Sequence, residues 1–160
     1  MKPSISCEQI ETRLLLPFLN ELLLAGQNVR MTVTGVSMYP MLRNRQDSVC
    51  LTAQKKPNKY DVVLFVRDSG EAVLHRIIAC HKDGFILLGD NQLTPEGPIV
   101  SSQIQAVVDG FYRGDTYIPD GTLWYHVYRV IWGRFWRARR LLRPFVIGFG
   151  RLLKHLKRME

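Results

Sequence analysis

The chain has 160 residues, 46% of them hydrophobic, and a formal net charge of +8. This length suits one domain with a core of its own and short appendages, and it is short for two domains. The cysteines are three in number and widely spaced, with no C-x-x-C pair, which excludes a disulfide framework and a zinc ribbon and favours a reducing compartment. They are Cys7, Cys50 and Cys80.

The positive charge is concentrated at one end of the chain. Residues 123–160 hold ten Lys/Arg and one acid, a net charge of +9, whereas the other 122 residues hold 12 basic and 13 acidic residues. The charge therefore belongs to a basic tail and not to a nucleic-acid-binding face on the rest of the chain. We predict three regions: an N-terminal helix in 1–28, a β-rich domain in 29–122 and the tail in 123–160.

The N-terminal region is predicted to be helical because leucines recur at helical spacing between residues 6 and 25. Gly26, which follows them, is a suitable residue for the end of a helix. Charged residues interrupt these leucines, and no window offers roughly 18 uninterrupted apolar residues, so neither a signal peptide nor a spanning helix is predicted. We therefore expect a cytoplasmic protein.

From residue 29 onward the chain consists of short β-branched and apolar runs separated by turn sequences such as KKPNKYD and RDSGE. Six such runs predict a mainly β (α+β) fold with a coiled or barrel-like sheet. The runs are VRMTVTG (29–35), DSVCLTA (47–53), DVVLFV (61–66), AVLHRIIAC (72–80), GFILLGD (84–90) and IQAVVDGFYR (104–113).

The fourth run supplies a candidate general base. In an extended strand His75 shares a face with Val73 and Ile77, while Arg76 points the other way. An imidazole on an apolar face is desolvated, which favours the neutral form that a general base needs. The same pattern also suits a core histidine with no chemistry.

Four blocks in order give these residues a context: GVSMYPML, YDVVLF, LHRII and LLGDN. In order and approximate spacing they resemble the type I signal peptidases and the related self-cleaving SOS repressors, over about residues 29–113. The resemblance implies a coiled β-sheet catalytic domain in which a serine follows a strand and the base lies on a later strand. Most bacterial members have lysine where this chain has His75, so the resemblance is to the serine-histidine branch.

Carried over by position, the resemblance makes Ser37 the nucleophile and His75 the general base. It also implies that Met38 and Pro40 shape the loop that presents the serine. Many signal peptidases place a second oxyanion donor, a serine hydroxyl, two residues before the nucleophile, but this chain has Gly35 there. The alternative for Ser37 is an ordinary turn serine.

Two acids are further candidates under the same resemblance. Asp90, in the GDN segment, matches the family aspartate, and Glu96, six residues later, matches an acid implicated in orienting the histidine in the serine-histidine branch. Against these roles, Asp90 equally suits a turn at a strand end. Glu96, between Pro95 and Gly97, equally suits an exposed loop.

The basic tail interleaves tryptophan, tyrosine and phenylalanine with arginines. At helical spacing this gives an apolar face edged with cations, which suits peripheral contact with an anionic membrane. A helix packed on the domain with solvated arginines is the alternative, and nucleic-acid binding is the less favoured third reading. No cofactor is expected, because the spacing of His75, Cys80 and His81 does not suit a tetrahedral metal site.

The sequence therefore predicts a serine endopeptidase resembling signal peptidase I, cutting a leader or preprotein peptide after a small residue through an acyl-enzyme. One alternative is a catalytically inactive peptide-binding module of the same fold. The other is a self-processing regulator of the SOS-repressor type.

Overall fold

The structure is a computed structural model that describes residues 7–138, with side chains described from residue 16. Two helices and eight strands form it, with a short 3₁₀ turn at Ser101–Gln103. The helices are α1 (Cys7–Leu24) and α2 (Leu123–Arg134). The strands are β1 (Val29–Thr32), β2 (Asp47–Thr52), β3 (Val62–Val66), β4 (Ala72–His81), β5 (Gly84–Leu88), β6 (Glu96–Ile99), β7 (Ile104–Arg113) and β8 (Thr116–Pro119).

All eight strands belong to one antiparallel sheet in the order β1-β2-β7-β3-β4-β5-β6, with β8 added beside β7. The ten-residue strand β7 joins the two halves, because its first part pairs with β3 and its second part pairs with β2. The mainly β class is thus confirmed, and so are the six predicted strands. Strands β6 and β8 were not predicted.

The sheet has an apolar core on each face. The larger core lies under the helices and includes Leu64 and Leu74, together with Leu19 and Leu23 of α1 and Tyr125 of α2. The smaller core lies on the opposite face, formed by residues of β3, β4, β5, β7 and the end of β6: Val63, Phe65, Ile77, Leu87, Ile99 and Val107. Because β4 separates the two cores, its successive side chains enter different environments.

Helix α1 agrees with the predicted N-terminal helix to within one residue at each end. It ends where Gly26 adopts a φ of 76°, a left-handed conformation that glycine accommodates without steric cost. The N–H groups of Gly26 and Gln27 donate to the carbonyls of Leu23 and Leu22 and close the last turn.

The beginning of the predicted tail is part of the folded body. Helix α2 occupies residues 123–134 and places Tyr125 in the larger core, where its ring lies 5.3 Å from that of Phe111. These residues thus form a helix packed on the domain, as in the alternative, but Arg129 is paired with Asp61 at 2.9 Å and is not solvated. The remainder of the tail from residue 139 lies outside the described residues.

Among residues 7–138, neither helix combines the length and the apolarity needed to cross a bilayer.

Phe111 should contribute strongly to stability because it is only 1% exposed and contacts the rings of Trp124 and Tyr125. We expect Phe111→Ala to lower the free energy of unfolding by about 3–5 kcal/mol, through lost burial and the cavity left behind. Phe18→Ala is the matched control, since Phe18 is 67% exposed, and it should change stability by less than about 0.5 kcal/mol. Urea unfolding measures both, and equal effects would contradict the assignment of the core.

Candidate active site

Strand β4 carries the candidate base into the smaller core. His75 pairs with Val63, is fully buried, and has its ring centroid 5.8 Å from that of Phe65. Ile77 lies in the same core, so the alternation predicted for this strand is confirmed. Burial lowers the pKa of His75 below its ordinary value, because desolvation disfavours the imidazolium. The neutral imidazole is the form that accepts a proton.

Glu96 lies at the start of β6, which is separated from β4 by β5 in the sheet, and its side chain reaches the imidazole. Its Oε1 is 2.5 Å from His75 Nδ1. This distance is within that of an ion pair, but Nδ1 has no aligned hydrogen-bond partner. The contact between the carboxylate and the imidazole is therefore electrostatic. The carboxylate acts to raise the pKa of His75 and is outweighed by burial. Glu96 is thus not a loop acid.

Arg67 also holds the Glu96 carboxylate. Its Nε donates to Oε2 at 2.8 Å and its Nη2 donates to Oε1 at 2.9 Å, while Nη1 donates to Glu71 at 2.7 Å. Burial alone would raise the pKa of Glu96, but the hydrogen bonds of Arg67 and the nearby His75 outweigh it and lower that pKa. Glu96 is therefore ionised at neutral pH.

The loop between β1 and β2 presents Ser37. Met38 is buried in the larger core and anchors the loop, whereas Pro40 is exposed. Gly35 has a φ of 83°, a conformation that favours glycine, and its N–H donates to Asn44 Oδ1 at 3.0 Å. Gly35 therefore shapes the loop, and its N–H is already engaged.

The GDN segment fastens this loop to the sheet. The N–H of Asn91 donates to the Ser37 carbonyl at 2.7 Å, and the Asn91 side chain donates to the Val36 carbonyl at 3.2 Å. Just before this segment, Leu88 pairs with Arg76, the residue after the candidate base. The backbone of the serine loop is thus connected to β4 through one short segment.

No hydrogen bond joins Ser37 and His75, the two proposed reacting groups, within the described residues. His75 Nε2 is buried and has no hydrogen-bond partner within residues 7–138. Over the same residues, the only hydrogen bond to Ser37 is the one that its carbonyl accepts. Its N–H and its hydroxyl are therefore both unengaged.

Asp90 binds Arg76 and not the candidate base. It accepts hydrogen bonds from Arg76 Nε at 2.8 Å and Nη2 at 2.7 Å, and both side chains are buried. Helix α2 joins this pair, since the Tyr128 hydroxyl lies 3.2 Å from Asp90 Oδ2 and the Trp132 indole N–H donates to the Asp90 carbonyl at 3.1 Å. The acid in contact with His75 is Glu96, and Asp90 belongs to the opposite face of β4.

Sequence reasoning missed Arg67 altogether. It lies at the start of the β3–β4 turn, in RDSGE, which we read only as turn material. Glu71 follows it at i+4, and the Arg67 N–H donates to the Glu71 carbonyl across the turn at 2.9 Å. The sequence did contain one signal for this contact, namely the opposite charges of Arg67 and Glu71 at the two ends of the hairpin turn.

The chain matches no protein-family model and no curated protein sequence. Within the described residues, no group of three or more His, Cys, Asp or Glu side chains could hold a metal ion.

The charges around the imidazole give opposite predictions for two variants. Glu96→Gln removes a carboxylate that raises the pKa of His75, so that pKa should fall; Arg67→Met removes a cation that lowers it, so the pKa should rise. Glu71→Gln is the control, since it leaves both neighbours in place. NMR titration of the His75 ring measures all three, and a shift in the same direction for Glu96→Gln and Arg67→Met would contradict this arrangement.

The close approach of the GDN segment to the serine loop predicts a site-specific effect at Gly89. A Cβ there would lie 2.8 Å from the Ser37 carbonyl oxygen, so Gly89→Ala should displace the serine loop. We expect the N–H of Asn91, which donates to that carbonyl, to exchange with solvent at least about tenfold faster, because the added methyl group displaces its acceptor. Gly121→Ala, where a Cβ meets nothing within 4 Å, should leave this exchange unchanged. Hydrogen exchange followed by NMR measures both variants, and equal exchange rates at Asn91 would contradict the contact.

Proposed function

We propose that the protein is a serine endopeptidase of the kind suggested by its resemblance to signal peptidase I, with Ser37 as nucleophile and His75 as general base. The observation that carries the proposal is the state of His75. Its imidazole is buried, its Nδ1 faces an ionised carboxylate, and its Nε2 has no partner within the described residues. A carboxylate on one ring nitrogen and a free second nitrogen are what a proton-accepting histidine requires.

The missing hydrogen bond between Ser37 and His75 is compatible with this role. Hydrogen bonds between a nucleophile and its base are often long in a free enzyme and shorten when substrate binds. The hydroxyl and N–H of Ser37 are unengaged, and the serine loop is exposed at Val36 and Tyr39 on either side of it. A peptide bound along this loop would bring its carbonyl to the hydroxyl.

The proposed reaction is acyl transfer. His75 Nε2 takes the proton of the Ser37 hydroxyl as its oxygen attacks the peptide carbonyl, and it gives that proton to the leaving amine. A water molecule then repeats the sequence on the acyl-enzyme and regenerates Ser37. Glu96 stabilises the imidazolium that forms in each half, and Arg67 keeps the carboxylate in place. The Ser37 N–H is the proposed oxyanion donor.

The proposed substrate is a leader or propeptide met on the cytoplasmic side and cut after a small residue such as alanine. This preference comes from the resemblance and from no contact in the structure. The finer fold assignment, a coiled sheet of the signal-peptidase and SOS-repressor type, is likewise a proposal. It is supported by the serine loop between β1 and β2 and by the histidine on β4.

The test combines a covalent probe with turnover. Wild-type protein should react with a fluorophosphonate at Ser37, located by mass spectrometry, and should cleave a fluorogenic leader peptide. Ser37→Ala should not be labelled, and its turnover should be at least about a thousandfold lower than that of the wild type. Ser101→Ala, an exposed serine in the 3₁₀ turn, should behave as wild type. Turnover that survives Ser37→Ala would remove the proposed nucleophile.

A peptide-binding module of the same fold is the second candidate. The observation that favours it is the complete burial of His75 together with the missing Ser37–His75 hydrogen bond. Peptide binding without label or turnover, unchanged in Ser37→Ala, would support the module. A shortened chain mass that appears only in the wild type would instead support self-processing.

A further inference from the structure

We propose that the outward face of α2 is a docking surface for an anionic lipid bilayer. Apolar side chains on this helix and just beyond it are between 47% and 78% exposed. Four of them recur every fourth residue, so they form one stripe along the helix. The exposed residues are Leu123, Trp124, Val127, Ile131 and Phe135. We call them the α2 stripe.

Cations accompany the α2 stripe. Arg134 and Arg137 are both exposed, and the first acid after Asp120 is Glu160. An apolar stripe with cations beside it matches the interface of an anionic membrane, where the apolar side chains enter the acyl boundary and the arginines meet phosphate groups. A zwitterionic surface would satisfy only the apolar part.

The aromatic residues on the other side of α2 argue against a nucleic-acid partner. Tyr128 and Trp132 stack on each other with ring centroids 5.1 Å apart, and Tyr125 is buried in the larger core. Three of the rings on α2 are therefore already engaged. The stripe keeps two exposed rings, those of Trp124 and Phe135, but its other three side chains are aliphatic. Aliphatic side chains insert into lipid and offer no ring face to a base.

Charge also argues against two protein partners. A second copy docked stripe to stripe with the two helices parallel would bring Arg134 and Arg137 of both copies together. The end of this chain, residues 139–160, carries seven Lys/Arg and one acid, so it too would repel the cations of α2. A surface of negative charge avoids both conflicts.

The proposal goes beyond peptidase activity, yet it has a consequence for the site. The inner face of α2 contacts Asp90 through Tyr128 and Trp132, and the residue after Asp90 binds the Ser37 carbonyl. A helix that rests on a bilayer would therefore hold the serine loop at a fixed distance from the lipid surface. Peptides attached to or emerging from that surface would be the favoured substrates.

The test is vesicle co-sedimentation of the full chain with phosphatidylglycerol/phosphatidylcholine and with phosphatidylcholine alone. Wild type should bind the anionic vesicles and lose binding in high salt. Val127→Asn/Ile131→Asn should bind at least about tenfold more weakly, because two aliphatic side chains no longer enter the interface. The control is Val100→Asn, a valine exposed to a similar extent outside α2. It should bind as wild type.

Each outcome decides the proposal. Equal binding of the wild type and the double variant, or no preference for anionic vesicles, would overturn it. A dimer detected by light scattering would also overturn it, if the double variant alone abolishes that dimer. RNA binding that the double variant alone abolishes would overturn it as well. Since both altered side chains are exposed, circular dichroism should show an unchanged fold. Ser37→Ala should bind vesicles as wild type, so failure of the peptidase proposal and failure of this one are separate results.

Discussion

The buried ion pair between Arg76 and Asp90 is the contact on which the arrangement of the site depends. It lies between the sheet and α2, and it fixes the segment after β5 against β4. Asn91, the next residue, then binds the backbone of the serine loop. A buried charge without its partner is costly, so this pair constrains three elements at once. The histidine next to Arg76 is directed to the other face by strand alternation alone.

The sequence alone was sufficient to predict the features that depend on local residue patterns. Alternation along β4 predicted opposite faces for His75 and Arg76, and the leucine spacing with Gly26 predicted α1 and its end. Six strands were visible because each is a run of β-branched and apolar residues bounded by turns. These signals need no knowledge of the partner strand.

Features that depend on distant partners were not visible. β6 contains Gly97 and Pro98 and looks like a turn, but it is the edge strand of the sheet, where proline is tolerated. Missing β6 is also why Glu96 could be read as a loop acid. The contacts of Asp90 with Tyr128 and Trp132 span about forty residues and carry no periodic signal.

The contacts of Arg67 set the charge balance around the imidazole. In the resting state, the two carboxylates it binds, Glu71 and Glu96, exceed its own single positive charge by one. A protonated imidazole would make this group of four side chains electrically neutral. In the proposed reaction these surroundings would complement the imidazolium, so little rearrangement of the neighbouring dipoles would be needed when His75 takes up the proton.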